Sequence, residues 1–172
     1  TACRSAYYAT MEQFGVHKRD ILVDEVEEGR AEQQEAAEQF QSTYEVFRDL
    51  TGYKGGELEE VYDTLSDELE DCEQDSDDLR ARIEDIERTA TDLFDEWRAE
   101  LGTMESDSLR RQSETMLKDT RERYGDLIEA MERAEDKMEP VLVAFRDHVL
   151  FLKHNLNAKA IAALQDVVLD IE

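Results

Sequence analysis

The sequence predicts an all-α fold: an elongated antiparallel three-helix coiled-coil bundle with short N- and C-terminal helices. Apolar residues recur in alternating steps of three and four over three long stretches, which is heptad spacing. One proline and seven glycines in 172 residues leave little punctuation, so the elements are few and long. Charged residues, 38% of the chain, fill the positions between the apolar stripes. One helical domain over residues 1–172 is the natural expectation at this length.

The charge balance narrows the function classes. Asp and Glu outnumber Lys and Arg by 45 to 20, for a formal charge of −25. Such a surface repels phosphate backbones and anionic lipid, which argues against nucleic acid as a partner. High charge is also a mark of disorder, but 40% of the residues are hydrophobic and fall at helical spacing, which favours a folded bundle. Only six lysines accompany 14 arginines. Acid excess with few lysines suits a protein bathed in high salt, where counter-ions screen self-repulsion, and a halophilic source fits it.

Thr1-Ala2-Cys3 resembles the end of a bacterial lipoprotein signal, which makes Cys3 the candidate lipidation site. The alternatives are a plain exposed cysteine near a terminus and a disulfide from Cys3 to Cys72. Cys72 falls on an apolar stripe and reads most simply as a small buried thiol. Residues 1–16 form an anchor-proximal segment. Within it, Tyr7, Tyr8, Met11 and Phe14 make an aromatic-rich helical face, and Gly15 ends that helix. His17, Lys18 and Arg19 follow. Tyrosines and bases near a lipid anchor suit a membrane- or partner-proximal surface, with Tyr7, Tyr8, Met11, Phe14, Lys18 and Arg19 as its residues. The competing reading packs the rings on the bundle and uses the bases to offset nearby acids.

Three long helices are expected over 20–51, 57–102 and 107–156. Asp20 is read as the N-cap of the first. Its seam is Leu22, Val26, Gly29, Gln33, Ala36, Phe40, Thr43, Phe47 and Leu50, small or polar in the middle, so another element approaches closely there or the packing is loose. The turn TGYKGG at residues 51–56 follows. The second seam runs Leu58, Tyr62, Leu65, Leu69, Cys72, Ser76, Leu79, Ile83, Ile86, Ala90, Leu93 and Trp97. The acids Glu70, Asp71, Glu73, Asp75, Asp77 and Asp78 beside it lack the loop glycine and spacing of an EF-hand and read as a solvated face rather than a metal site. Ser106 or Ser108 caps the third helix. Its seam runs Leu109, Ser113, Met116, Thr120, Arg123, Leu127, Met131, Ala134, Met138, Val141, Phe145, His148 and Leu152. A kink is expected at Pro140 and a corner at Asn155 and Asn157, followed by a final helix over 158–172. Pro140 to Leu164 is the long stretch where apolar residues outnumber acidic ones, and it is expected to form the thickest part of the core.

Little in the chain points to a reaction. There is no Gly-rich phosphate loop with a following Lys-Ser/Thr, and no Glu-x-x-His pair of a di-iron bundle. Cofactors and metals are not expected, and no catalytic residue is assigned. His148, Lys153, His154, Asn155 and Asn157 form a polar cluster within the most apolar stretch. It reads first as a hydrogen-bonded helix corner and second as a small binding site.

Four motifs carry a family resemblance: AYYATMEQFGVHKRDILVDEVEE at 6–28, TDLFDEWRAEL at 91–101, SLRRQSETML at 108–117 and MEPVLVAFRDHVLFLKHNLNAKAIAAL at 138–164. On these the chain resembles the bacterial family called domain of unknown function 2959. The resemblance implies a secreted or lipid-anchored protein of Gram-negative bacteria, acylated at Cys3, whose chain continues past Glu172. It implies no activity and no catalytic residues. The function expected is that of a non-enzymatic envelope lipoprotein, a structural, scaffold or accessory subunit acting through coiled-coil packing. Its expected address is the periplasm, on the outer rather than the inner membrane. Its partners would be the membrane, through the lipid, and an envelope protein or a second copy, through the helices. The alternative is a periplasmic chaperone-like or ligand-binding coiled coil.

Overall fold

A computed structural model describes residues 2–13, 15–51 and 58–169, with side chains at 4, 6–13, 15–47 and 58–159. The helices are α1 (Ala2–Gln13), α2 (Lys18–Thr51), α3 (Leu58–Leu101), α4 (Asp107–Glu135) and α5 (Met138–Leu169). No strand occurs among the described residues. The protein is an all-α bundle, as its periodicity predicts. It divides into two compact units. The first holds Thr1–Gln34 and Asp78–Glu135, and the second holds Glu35–Asp77 and Asp136–Glu172.

Local signals set the helix ends. Gly15 has φ 81°, the left-handed region where a Cβ is costly. Its N–H donates to Glu12 O at 3.0 Å, and the Val16 N–H donates to Met11 O at 3.1 Å. Together these form a Schellman stop for α1. The N-cap of α2 is His17 rather than Asp20. The His17 carbonyl accepts the Ile21 N–H at 3.1 Å. Asp20, three residues on, reaches back and accepts the His17 N–H on Oδ2 at 3.0 Å. That is the reciprocal half of a capping box. Ser106 caps α4 as expected, its Oγ accepting the Leu109 N–H at 3.4 Å.

The expected helix over 107–156 is two helices, α4 and α5, with a turn at Asp136 and Lys137. Pro140 explains the position. A proline ring clashes with the carbonyl four residues back, here that of Asp136, and cannot donate to it. The chain breaks at that carbonyl and restarts so that Pro140 sits in the first turn of α5, where no N–H is needed. The kink expected at Pro140 is therefore a break one turn earlier. The corner expected at Asn155 and Asn157 is absent, because α5 continues through both residues to Leu169.

In the first unit α2 and α3 run antiparallel. Gly29 faces Ile86, and Arg82 grips Glu32 through Nε at 3.1 Å to Oε2 and Nη2 at 2.7 Å to Oε1. A Cβ on Gly29 would lie 3.0 Å from Ile86 Cδ1, 3.0 Å from Met131 Cε and 3.1 Å from Arg82 Cγ. The small middle of the α2 seam thus marks close approach by α3 and α4. The α4 hairpin closes on α3 through Ala90, Phe94, Leu101 and Leu117, with Leu22, Trp97 and Tyr124 around them. Trp97 Nε1 donates to Ser113 Oγ at 2.8 Å. This sets an α4 stripe of Ser113, Leu117, Tyr124, Ile128 and Met131, and leaves Leu109 and Met116 of the expected seam exposed.

In the second unit Phe40, Phe47, Val61, Leu65, Met138, Leu142, Phe145 and Leu152 are buried. Phe47 stacks on Phe145 at 4.3 Å between ring centroids. Arg146 ties α5 to α3 by pairing with Glu73, and holds Glu139 of its own helix at 3.0 Å.

Gly29 tests the close approach. Gly29→Ala should change stability by less than about 1 kcal/mol, because the helix-propensity gain offsets the small shift required of the Ile86 and Met131 tips and of Arg82 Cγ. Gly29→Leu should cost about 1–3 kcal/mol by overpacking, read as a lower urea midpoint at unchanged slope.

Candidate functional site

The N-terminal residues divide between packing and exposure. Tyr8 is buried, its hydroxyl 3.4 Å from Thr89 Oγ1 in a shared hydrogen bond. Arg4 donates to the Arg88 carbonyl at 2.8 Å and pairs with Asp92. Lys18 holds Glu96 at 3.0 Å and Glu12 at 3.5 Å, with its ammonium 4.9 Å from the centre of the Tyr8 ring. These contacts dock α1 on α3, and a cavity of about 400 Å³ beside them is lined by the same paired charges. Tyr7 and Arg19 are exposed, and Met11 is half-buried. The Cys3 side chain and Phe14 lie outside the described residues.

The polar cluster on α5 forms no corner. His148 is exposed at the edge of the seam, its ring edge-on to Phe47 at 6.1 Å between centroids, and its Nδ1 bonds the Ala144 carbonyl at 2.7 Å within the helix. Lys153, His154 and Asn157 are exposed, and Asn155 is half-buried. Being spread along a straight helix, they do not converge on a common point.

A buried polar layer crosses the second unit. The Cys72 thiol donates to Thr43 Oγ1 at 3.3 Å, and Thr43 donates to Glu68 Oε2 at 2.8 Å. Gln39 Nε2 reaches the same carboxylate oxygen at 3.2 Å. Cys72 is a free thiol, and burial pushes its pKa up to about 11. A thiol so placed is a packed side chain rather than a nucleophile. Ser76, one turn on, is buried with its Oγ unpartnered.

A second cavity, about 520 Å³ between α3 and α4, is lined by Arg98, Arg110, Lys118 and Arg121 over Leu101 and Leu117. Its cations are already engaged: Arg98 with Asp95 at 2.7 Å, Arg110 with Asp107, Lys118 with Glu122 at 3.6 Å, and Arg121 over the Phe94 ring at 5.4 Å. Among the described residues no group of three His, Cys, Asp or Glu side chains is placed to hold a metal ion. No helix among them is long and apolar enough to cross a membrane.

One feature that packing leaves unexplained is the outer face of α5. Its inner face is used by Met138, Leu142, Phe145 and Leu152. On the other side Val143, Leu150 and Phe151 are 47%, 50% and 64% exposed. Asp147, His154 and Ala158 share that face at helical spacing and are exposed too. α5 is the most apolar and least one-sided of the helices. A helix apolar all round is ordinarily covered all round. The sequence carried the signal, because the apolar residues of 140–164 exceed what one seam can use, but there they read as core.

Fold and face define an all-helical bundle protein whose last helix has a second apolar side. The chain belongs to the family of proteins of unknown function DUF2959, whose model matches residues 7–172. Neither a curated protein nor a solved structure matches it.

Two results should follow from the polar layer. Cys72 should resist a disulfide-exchange reagent at pH 8 in the folded protein and react on unfolding in urea, with a thiol count as readout. Ser76→Ala should raise stability by about 1 kcal/mol by removing an unpartnered buried hydroxyl.

Proposed function

We propose that this protein is a non-enzymatic structural or accessory subunit of a Gram-negative cell envelope. It is lipid-anchored at Cys3 on the periplasmic side of a membrane, the outer membrane first, and it works by packing helices. The observation that carries this reading is the outer face of α5, where Val143, Leu150 and Phe151 stand exposed on a helix already buried along its other side. Helix-on-helix docking is the use such a face has. The lipoprotein-like Thr1-Ala2-Cys3 supports the anchor, and the three chains of a mature bacterial lipoprotein hold stably where a single chain does not. The charge of −25 suits an acidic surface kept off anionic headgroups and soluble in high salt.

Intact-mass spectrometry of the protein from its native membrane tests the anchor. The expected mass begins at Cys3 and includes a diacylglycerol and an amide-linked acyl chain. A chain that retains Thr1 and Ala2 with an unmodified Cys3 would sink it.

A further inference from the structure

We infer that the outer face of α5 takes a second copy of this chain, packed antiparallel about a two-fold axis between Leu150 and Phe151. The inference rests on the docking role proposed for that face and names its occupant.

The face is self-complementary. Val143, Asp147, Leu150, Phe151, His154 and Ala158 are its exposed residues. A two-fold axis midway between Leu150 and Phe151 exchanges Leu150 with Phe151, Asp147 with His154, and Val143 with Ala158. Asp147 and His154 each lie three and a half residues from the axis, about 5 Å along the helix. The carboxylate of one copy therefore stands level with the imidazole of the other, twice over. An imidazole N–H donates to a carboxylate in either protonation state. The large Leu150 and Phe151 fill the centre and the small Ala158 receives Val143, so the apolar middle is closed at both ends by a polar pair. Isologous contact requires this matching of a patch with itself.

Charge favours a copy over a foreign helix. The whole chain carries −25, and α3 alone has 18 acidic against 4 basic residues. Residues 138–159 of α5 hold two acids, Glu139 and Asp147, against three bases, Arg146, Lys153 and Lys159, a net +1. Two copies that repel one another elsewhere meet the least repulsion on this helix. A basic partner would be drawn instead to the acidic faces of α3. One helix pair is a small interface, at the low end of specific contacts, so the association is of the weak, concentration-dependent kind.

Sedimentation velocity on the full chain, unacylated, from micromolar to submillimolar concentration in 0.15 M and 1 M NaCl is the test. The wild type should pass from monomer to dimer, more readily in high salt as the general repulsion is screened. Asp147→Lys and His154→Glu should each weaken the dimer about tenfold or more, the first by removing the carboxylate that accepts the imidazole N–H and the second by setting two carboxylates opposite one another. The double variant should recover most of that loss, because it restores the pair with its signs reversed. Circular dichroism should be unchanged throughout, since both side chains are exposed. A wild type that stays monomeric in both salts overturns the second copy. A dimer indifferent to both reversals overturns the antiparallel pairing. A photo-crosslinker at position 151 in native membranes separates this from the broader reading. Adducts to a different envelope protein, with a monomeric wild type, overturn the second copy and leave the docking role standing. Adducts to neither overturn both.

Discussion

Burial of one seam of α3 is the constraint on which both units depend. Val61, Leu65, Cys72 and Ser76 carry it in the second unit, and Leu79, Ile83, Ile86, Ala90, Phe94 and Leu101 in the first. Fourteen excess negative charges (18 acids less 4 bases) line the rest of the helix. Repulsion among them favours an open chain, so the apolar contacts must exceed both that repulsion and the entropy of ordering. Few bases are available, and some of them serve two acids. Arg82 reaches Glu32 and also Glu28, at 3.1 Å, across to α2. Exposed pairs of this kind add little stability singly. Their use here is to place a positive charge where two acidic helices come closest.

The seam is not uniformly apolar, and its polar interruption is local. Gln39, Thr43, Glu68 and Cys72 satisfy one another at a single level of the second unit. A layer whose donors and acceptors match in only one alignment penalises any slide of α2 along α3, since a slip would leave buried polar atoms unpaired. The phenylalanines around it supply attraction without such selectivity. Register and stability thus come from different residues.

Much of this architecture is legible in the sequence. The α2 stripe from Gly29 to Phe47 and the α3 stripe from Leu65 to Ala90 are buried as the heptads indicate, except for the half-buried Gln33 and Leu69. Two of the readings that went astray mark the limits of periodicity, which fixes a face only when one face is clearly the most apolar and does not register a break that keeps phase. On α4, Met116 and Leu127 compete with Leu117 and Ile128 one residue away, and partners on α3, Trp97 and Phe94, decide between them. At the α4–α5 break the stripe Met131, Glu135, Met138, Leu142 keeps steps of four, three and four, so the phase passes through the turn unaltered. A break that preserves phase is invisible to a periodicity argument. Proline was the true signal, acting on the carbonyl four residues before it. The outer face of α5 was hidden because apolar density does not say on how many sides a helix is covered.

α1 has only 12 residues. A helix of that length is marginal by itself in water, so its turns persist because Tyr8, Arg4 and Lys18 hold it against α3. The same segment has two very different reaches. Helical, it covers about 18 Å. Drawn out as a strand it would cover about 40 Å. Its docking contacts therefore act as the catch on a reel, and they set how much slack lies between the start of the chain and the bundle. Any pull applied at the N-terminus would be felt first as line let out from α1, at the cost of one tyrosine pocket and two ion pairs, before it strained the seam of α3.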